Sequence, residues 1–108
     1  MTASEAAERL GLEVLVPGGG DRPVTGGYCG DLLSWVMGRA SDGDAWITVM
    51  GNLNAVAVAV LADTACIILA ENAALDTDAR ERAVQENIPV YRSGQTAYTL
   101  CQKLGKIL

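Results

Sequence analysis

The sequence predicts an α/β fold with a small, mainly parallel sheet of about four strands and helices on both faces. Short aliphatic, β-branched runs alternate with helical patterns along the chain, and glycine, proline or asparagine separates them. The run from Ala65 to Ala70 carries no charge, as is typical of a strand buried on both faces of a parallel sheet. Strands that alternate with helices build parallel sheets.

In the first half of the chain, capping and breaking residues mark the element boundaries. Ser4 or Thr2 can cap the first helix, which Gly11 ends, and Pro17 ends the first strand. The glycine-rich segment after Pro17 has no regular pattern. The predicted elements are a helix over Ser4 to Leu10, a strand over Leu12 to Val16, an extended segment over Val24 to Tyr28, a helix over Asp31 to Ala40 and a strand over Ala45 to Met50.

In the second half, the segment from Asn54 to Ala62 is apolar throughout, so periodicity does not distinguish a helix from a strand. A buried helix is preferred, because it supplies the crossover between two parallel strands, and Asn52 is a good N-cap. The other predicted elements are a strand over Ala65 to Ala70, a helix over Thr77 to Asn87 with Thr77 as its cap, a strand over Pro89 to Arg92 and a helix over Gln95 to Leu108.

Composition excludes several classes of function. The chain of 108 residues has a net charge of −5, which argues against binding to nucleic acid or to an anionic membrane surface. It has no histidine, which excludes histidine-dependent triads, proton shuttles and zinc sites. No metal site or cofactor is expected, and the acidic residues form no evident acid/base pair. The chain is therefore expected not to be an enzyme.

The cysteines and the N-terminus favour a cytoplasmic protein. Cys29, Cys66 and Cys101 are odd in number and form no CxxC pair, so reduced thiols are expected. The N-terminus lacks the basic region of a signal peptide, and the longest apolar run has eight residues where a membrane span needs about 20. Cys66 and Cys101 fit small core residues. Cys29 precedes a predicted helix whose dipole can activate a thiol, but it has no histidine partner, so a structural role is preferred to a reactive one.

Ligands of parallel α/β folds bind in the loops that follow the carboxyl ends of the strands. This rule selects four loops, which also hold eight of the twelve glycines: Pro17 to Gly30, Met50 to Asn52, Glu71 to Asp76 and Arg92 to Thr96. Small residues let a ligand approach the backbone, and arginine adds positive charge for an anion. The alternative is that turns alone require these residues. The candidate ligand-binding residues are Arg22, Thr25, Gly26, Gly27, Asn52, Ser93 and Gly94.

The glycine-rich loop lacks the known phosphate-binding patterns. No glycine is followed by the Lys-Ser/Thr pair of a Walker A motif, and the segment from Gly26 to Gly30 does not have the spacing of a dinucleotide-binding fingerprint. Phosphoryl transfer by this chain is therefore not expected.

Two features indicate a homodimer. Trp35 is offset from the apolar stripe of its helix and is expected to be exposed, whereas Trp46 is expected in the core. The wholly apolar helix over Asn54 to Ala62 needs burial on every side, which a small monomer provides with difficulty.

The segment Asp21-Arg22, followed by Thr25-Gly26-Gly27, resembles the signature of the DRTGG domain family, and the continuation Tyr28 to Ser34 is similar to its small stand-alone members. The resemblance covers nearly all of the chain, as a single domain over residues 1 to 108. It implies an α/β fold like the N-terminal domain of HPr kinase/phosphorylase. In this family the domain is an accessory or regulatory element, often at a subunit interface. Asp21 and Arg22 are signature positions that either bind a ligand or hold the loop in place.

The leading hypothesis is a non-catalytic cytoplasmic regulatory domain that senses a small anionic metabolite or nucleotide and acts on an unidentified partner protein. The alternative is a structural dimerisation or scaffold protein without a ligand. A homodimer is expected in both cases.

Overall fold

The computed structural model describes all 108 residues as one five-stranded sheet with helices on both faces. In chain order the elements are α1 (Ala3–Leu10), β1 (Glu13–Val16), β2 (Gly26–Cys29), α2 (Leu33–Arg39), β3 (Asp44–Thr48), α3 (Leu53–Ala62), β4 (Cys66–Leu69), α4 (Thr77–Gln85), β5 (Val90–Arg92) and α5 (Ala97–Ile107). The predicted α/β class is confirmed.

The strands lie in the order β1-β5-β4-β3-β2. The four strands from β2 to β5 are parallel, and β1 pairs antiparallel with β5. The predicted mainly parallel sheet is thus confirmed, but it has five strands and not four. The additional strand is β2, which begins with two glycines and therefore has a weak strand pattern. It pairs with β3 along its whole length, with Tyr28 opposite Trp46.

Two apolar layers hold the helices on the sheet. Side chains of α1 and α5 pack on one face, around Ile47, Ile68 and Tyr91. Side chains of α2, α3 and α4 pack on the other face, around Trp46 and Ile67. Every residue of β3 and β4 is buried, as expected for central strands covered on both sides.

The apolar segment of the second half is helical, as preferred from the sequence. α3 begins after Asn52, whose side-chain oxygen accepts a hydrogen bond from the backbone N–H of Ala55 at 2.8 Å. It lies between α2 and α4, which cover it on two sides. The predicted cap of α4 is wrong by one residue, because Asp76 is the N-cap and Thr77 the first helical residue.

The two edges of the sheet differ. At the β1 edge, an irregularity lies between Val14 and Val16, and the guanidinium of Arg80 on α4 donates a hydrogen bond to the carbonyl oxygen of Leu15 at 2.7 Å. At the other edge, β2 has a neighbouring strand on one side only. The β1 edge is therefore closed by a bulge and a charged side chain, and the β2 edge is open.

The longest helix, α5, has 11 residues, and none of the helices combines the length and the hydrophobicity needed to cross a membrane.

Candidate functional site

The signature segment lies at the amino ends of the parallel strands. The Nη2 of Arg22 donates to the carboxylate of Asp63 and, at 2.7 Å, to the Asp63 carbonyl oxygen. It also lies 3.4 Å from Oδ1 of Asp42. Asp42 precedes β3 and Asp63 precedes β4, so Arg22 joins the two loops that lead into the central strands. Its charge is already balanced by two carboxylates, which leaves it poorly suited to a free anion.

The other signature residues make close backbone contacts. The N–H of Thr25 donates to the Gly43 carbonyl oxygen at 3.0 Å, and its hydroxyl donates to the Asp42 carbonyl oxygen at 3.4 Å. A Cβ at Gly26 would lie 2.7 Å from Oδ1 of Asp44.

A Cβ at Gly27 would lie 2.8 Å from Cδ2 of Leu104. Since real Cβ atoms do not approach other atoms so closely, glycine at these two positions brings β2 close to the start of β3 and to α5. The contacts fit the structural role that the sequence analysis left open for Arg22.

The remaining candidate residues lie at the carboxyl ends of the parallel strands. Asn52 caps α3, as described above. The Ser93 hydroxyl accepts a hydrogen bond from the N–H of Gln95 at 3.1 Å, and the Ser93 carbonyl accepts one from the N–H of Asn72 at 2.9 Å. Gly94 packs against the Asn72 side chain. These groups therefore have partners within the protein.

The sequence predicts that all the candidate residues lie together, at the edge of the sheet where the parallel strands end, and this prediction is wrong. Arg22, Thr25 and the two signature glycines lie at the amino end of the parallel strands, and Asn52, Ser93 and Gly94 lie at the carboxyl end. The cause is the direction of β1. Because β1 is antiparallel to β5, with Val16 paired to Val90, the chain leaves β1 at the end where β5 begins. The loop after Pro17 then runs along the amino end.

The carboxyl end is closely packed. The N–H of Asp76 donates to the Gly51 carbonyl oxygen at 2.8 Å, so the loop after β4 covers the loop after β3. Arg92 does not offer free positive charge here, since its guanidinium lies 3.1 Å from Oε1 of Glu13 on β1.

Asp31 lies in the loop between β2 and α2. Its Oδ1 accepts hydrogen bonds from the Thr48 hydroxyl at 2.7 Å and from the Val49 N–H at 2.9 Å. The Asp31 side chain therefore holds the loop after β2 against the end of β3. The contact joins residues that are far apart in the chain, so no local sequence pattern predicts it.

The largest cavity, of about 440 Å³, lies between α1, β1 and the loop after Pro17. Tyr91 contributes to its floor, and Glu8 and the signature residue Asp21 contribute carboxylates. Burial raises the pKa of Tyr91 to about 12, so its phenol stays protonated and can donate a hydrogen bond. These groups favour a hydroxylic or cationic ligand over an anion. All of its lining residues except Tyr91 lie between Ser4 and Asp21. The sequence did not predict the cavity, because no local pattern shows that this segment folds around an empty space.

A second cavity, of about 280 Å³, lies between β2 and α5 and is mostly apolar. Cys29 and Cys101 both line it. Partial burial of the thiol, with the Cys101 thiol as a further cause, raises the pKa of Cys29 to about 11. The dipole of α2 therefore does not activate this thiol, contrary to the possibility that the sequence left open. No group of three metal-ligating side chains comes together anywhere in the chain.

We expect substitution of Arg22 by glutamine to raise the pKa of Asp63. The Arg22 guanidinium, by hydrogen bonding and charge, lowers that pKa from its usual value. The ion pair therefore stabilises the native state above the unfolded pKa, and this contribution is lost as the pH falls through the lower, folded pKa. Since Asp63 is exposed, the loss at neutral pH should be small, roughly 1 kcal/mol or less. Titration of the Asp63 carboxyl by NMR measures the shift, and an unchanged midpoint in Arg22→Gln would contradict it.

Comparison with known proteins shows the fold. No family model matches the chain, and no curated protein matches it. Among solved structures, it is similar to the CBS and DRTGG domains of the regulatory region of Clostridium perfringens pyrophosphatase, complexed with its activator diadenosine tetraphosphate. The TM-score is 0.70 and the sequence identity 12%, over 95% of this chain. This chain spans 45% of the length of that one. The likeness supports the DRTGG-like fold that the signature residues predicted.

Proposed function

We propose that the chain is a non-catalytic, cytoplasmic regulatory domain that acts through protein–protein contacts as a homodimer. The observation that carries the proposal is an apolar surface around α2, beside the open edge of the sheet. The likeness to the regulatory region of a pyrophosphatase supports the regulatory part of the proposal.

The α2 surface is unusual for a small domain. Val36 is the single fully buried residue of this helix. Leu32 just before it is 59% exposed, Trp35 is 51% exposed, and Met37 is also exposed. Exposed apolar residues that cluster in this way are typical of an interaction surface.

The charge of this surface suits a second copy of the same chain. The net charge of −5 makes two copies repel each other, but the segment Leu33–Arg39 has no acidic residue. Arg39 lies over the Trp35 ring, 3.7 Å from its centroid, and forms a cation–π pair. Two copies can therefore meet here with little repulsion.

The neighbouring edge strand adds a means of self-association. β2 has a strand partner on one side only, and its outer backbone groups are free to pair with another strand. Antiparallel pairing of two β2 strands about a two-fold axis would continue the sheet from one copy into the other. The surface formed by β2 and α2 is the proposed interface.

We expect the wild-type protein to sediment at about twice its chain mass of 11.3 kDa at micromolar concentration, and Trp35→Asp at the chain mass itself. A buried charge without a partner disrupts an apolar interface. The matched control is Tyr98→Asp, because Tyr98 is 73% exposed on α5, on the opposite face of the sheet. Circular dichroism verifies that each variant is folded. A folded Trp35→Asp that remains dimeric, or a monomeric wild type, would refute the interface.

A second candidate function, sensing of a nucleotide or another small anionic metabolite, is favoured by the ligand of the pyrophosphatase region, diadenosine tetraphosphate. Isothermal titration against adenine nucleotides, diadenosine tetraphosphate and acyl phosphates tests it. Binding should shift the amide NMR signals of Ser93 and Gly94 more than those of Arg22, whose charge is already paired. Absence of heat with every ligand would leave protein contacts as the only function proposed.

A further inference from the structure

We infer that Cys29 and Cys101 form a reversible intramolecular disulfide under oxidising conditions, which fastens the C-terminal helix to the edge strand. This modification site does not depend on the proposed function.

The two thiols share one small cavity. Cys29 lies in β2 and Cys101 in α5, and both line the cavity of about 280 Å³ between these elements. The Cys101 thiol interacts with that of Cys29 closely enough to contribute, after burial, to the raised pKa of Cys29.

Neighbouring contacts align the two cysteines. Gly27 precedes Cys29 by two residues and therefore faces the same side of the sheet. Leu104 follows Cys101 by three residues and lies on the same face of α5. A Cβ at Gly27 would lie 2.8 Å from Cδ2 of Leu104, so strand and helix are in close contact one step away from the thiols. Gly105 lines the cavity that the two thiols share, and a Cβ at this position would have no heavy atom within 4 Å.

Accessibility separates this pair from the third cysteine. Cys29 is exposed and Cys101 half-buried, so a small oxidant can reach them, whereas Cys66 is fully buried in β4. Because the pKa of Cys29 is about 11, little thiolate exists near neutral pH and oxidation is slow. The pair is therefore suited to sustained oxidation and not to rapid peroxide sensing.

The oxidant is a small disulfide such as glutathione disulfide. One thiol loses its proton, and its sulfur attacks the small disulfide, releasing one glutathione as thiolate and forming a mixed disulfide. The second cysteine, as thiolate, then attacks the protein sulfur of the mixed disulfide and releases the second glutathione. The two cysteines lose two electrons and two protons in total, and two molecules of reduced glutathione form.

The test is equilibration of the folded protein with excess glutathione disulfide at pH 8, followed by thiol counting in denaturant and peptide mapping. We expect the three free thiols of each chain to fall to one, with Cys29 linked to Cys101. The link closes a loop of about 70 residues, so Tm should rise by roughly 10 °C or more and return to its starting value on reduction.

Two serine variants complete the test. Cys66→Ser should still lose both of its remaining thiols and gain the same rise in Tm. Cys101→Ser should form no intramolecular link. Three thiols remaining in the folded wild type, a persistent mixed disulfide at Cys29, or a link between two chains on a non-reducing gel would each overturn the inference.

Discussion

Substitution of Gly51 by alanine is expected to lower the free energy of unfolding by about 3 kcal/mol, at the upper end of what overpacking costs. A Cβ at this position would lie 2.9 Å from the carbonyl carbon of Ala74 and 3.1 Å from the Cα of Leu75, and closer still to the Ala74 carbonyl oxygen. All of these atoms are backbone, so no side-chain rotation can relieve the contact. The loop after β4 would have to move away from the carboxyl end of the sheet. Urea denaturation followed by circular dichroism measures the loss.

The matched control is Gly105→Ala. This glycine lies inside α5, and a Cβ there would have no heavy atom within 4 Å. Alanine is the better helix former, so a gain of roughly 0.5 to 1 kcal/mol is expected. If Gly51→Ala is as stable as the wild type, the two loops are not packed as described.

Substitution of Trp46 by alanine should have the larger effect, a loss of roughly 3 to 5 kcal/mol. Trp46 is fully buried in β3, and its indole N–H donates a hydrogen bond to the Gly30 carbonyl oxygen at 2.9 Å. Alanine would leave a cavity in the layer under α2 and α3, and it would leave the Gly30 carbonyl without its partner. Small domains have a total stability of about 5 to 15 kcal/mol, so this single substitution would remove a large fraction of it.

Two further variants separate packing from hydrogen bonding. Trp46→Phe retains much of the ring and loses the donor, so an intermediate loss of about 1 to 3 kcal/mol is expected. Tyr98→Ala, at an exposed position on α5, should change stability by less than about 0.5 kcal/mol. Equal losses for Trp46→Phe and Trp46→Ala would contradict the assignment of most of the effect to packing.

The sequence predicts the helices and the central strands because their signals are local. The cap residue Asn52 and the uncharged run that forms β4 are each visible within a few residues, and both predictions are confirmed. For β2 the sequence predicts only an extended segment, because its two glycines form strands poorly. Pairing with β3 along its whole length makes it a strand.

The direction of β1 is a long-range property, and the split of the candidate site follows from it. The pairing of Glu13 with Arg92 joins residues far apart in the chain, and no local pattern encodes it. One indirect signal was available. A parallel connection needs a crossover of about a dozen residues, usually a helix, and the segment between Val16 and Gly26 contains no helix.

The unequal edges of the sheet limit how far the protein can polymerise. A chain with two bare edges can add copies in succession and grow into a fibre. Here the bulge and Arg80 block β1, so strand pairing is available through β2 alone. Once two β2 strands have joined, the outermost strands of the combined sheet are two blocked β1 strands. In the proposed dimer, growth by edge pairing would therefore terminate at two chains.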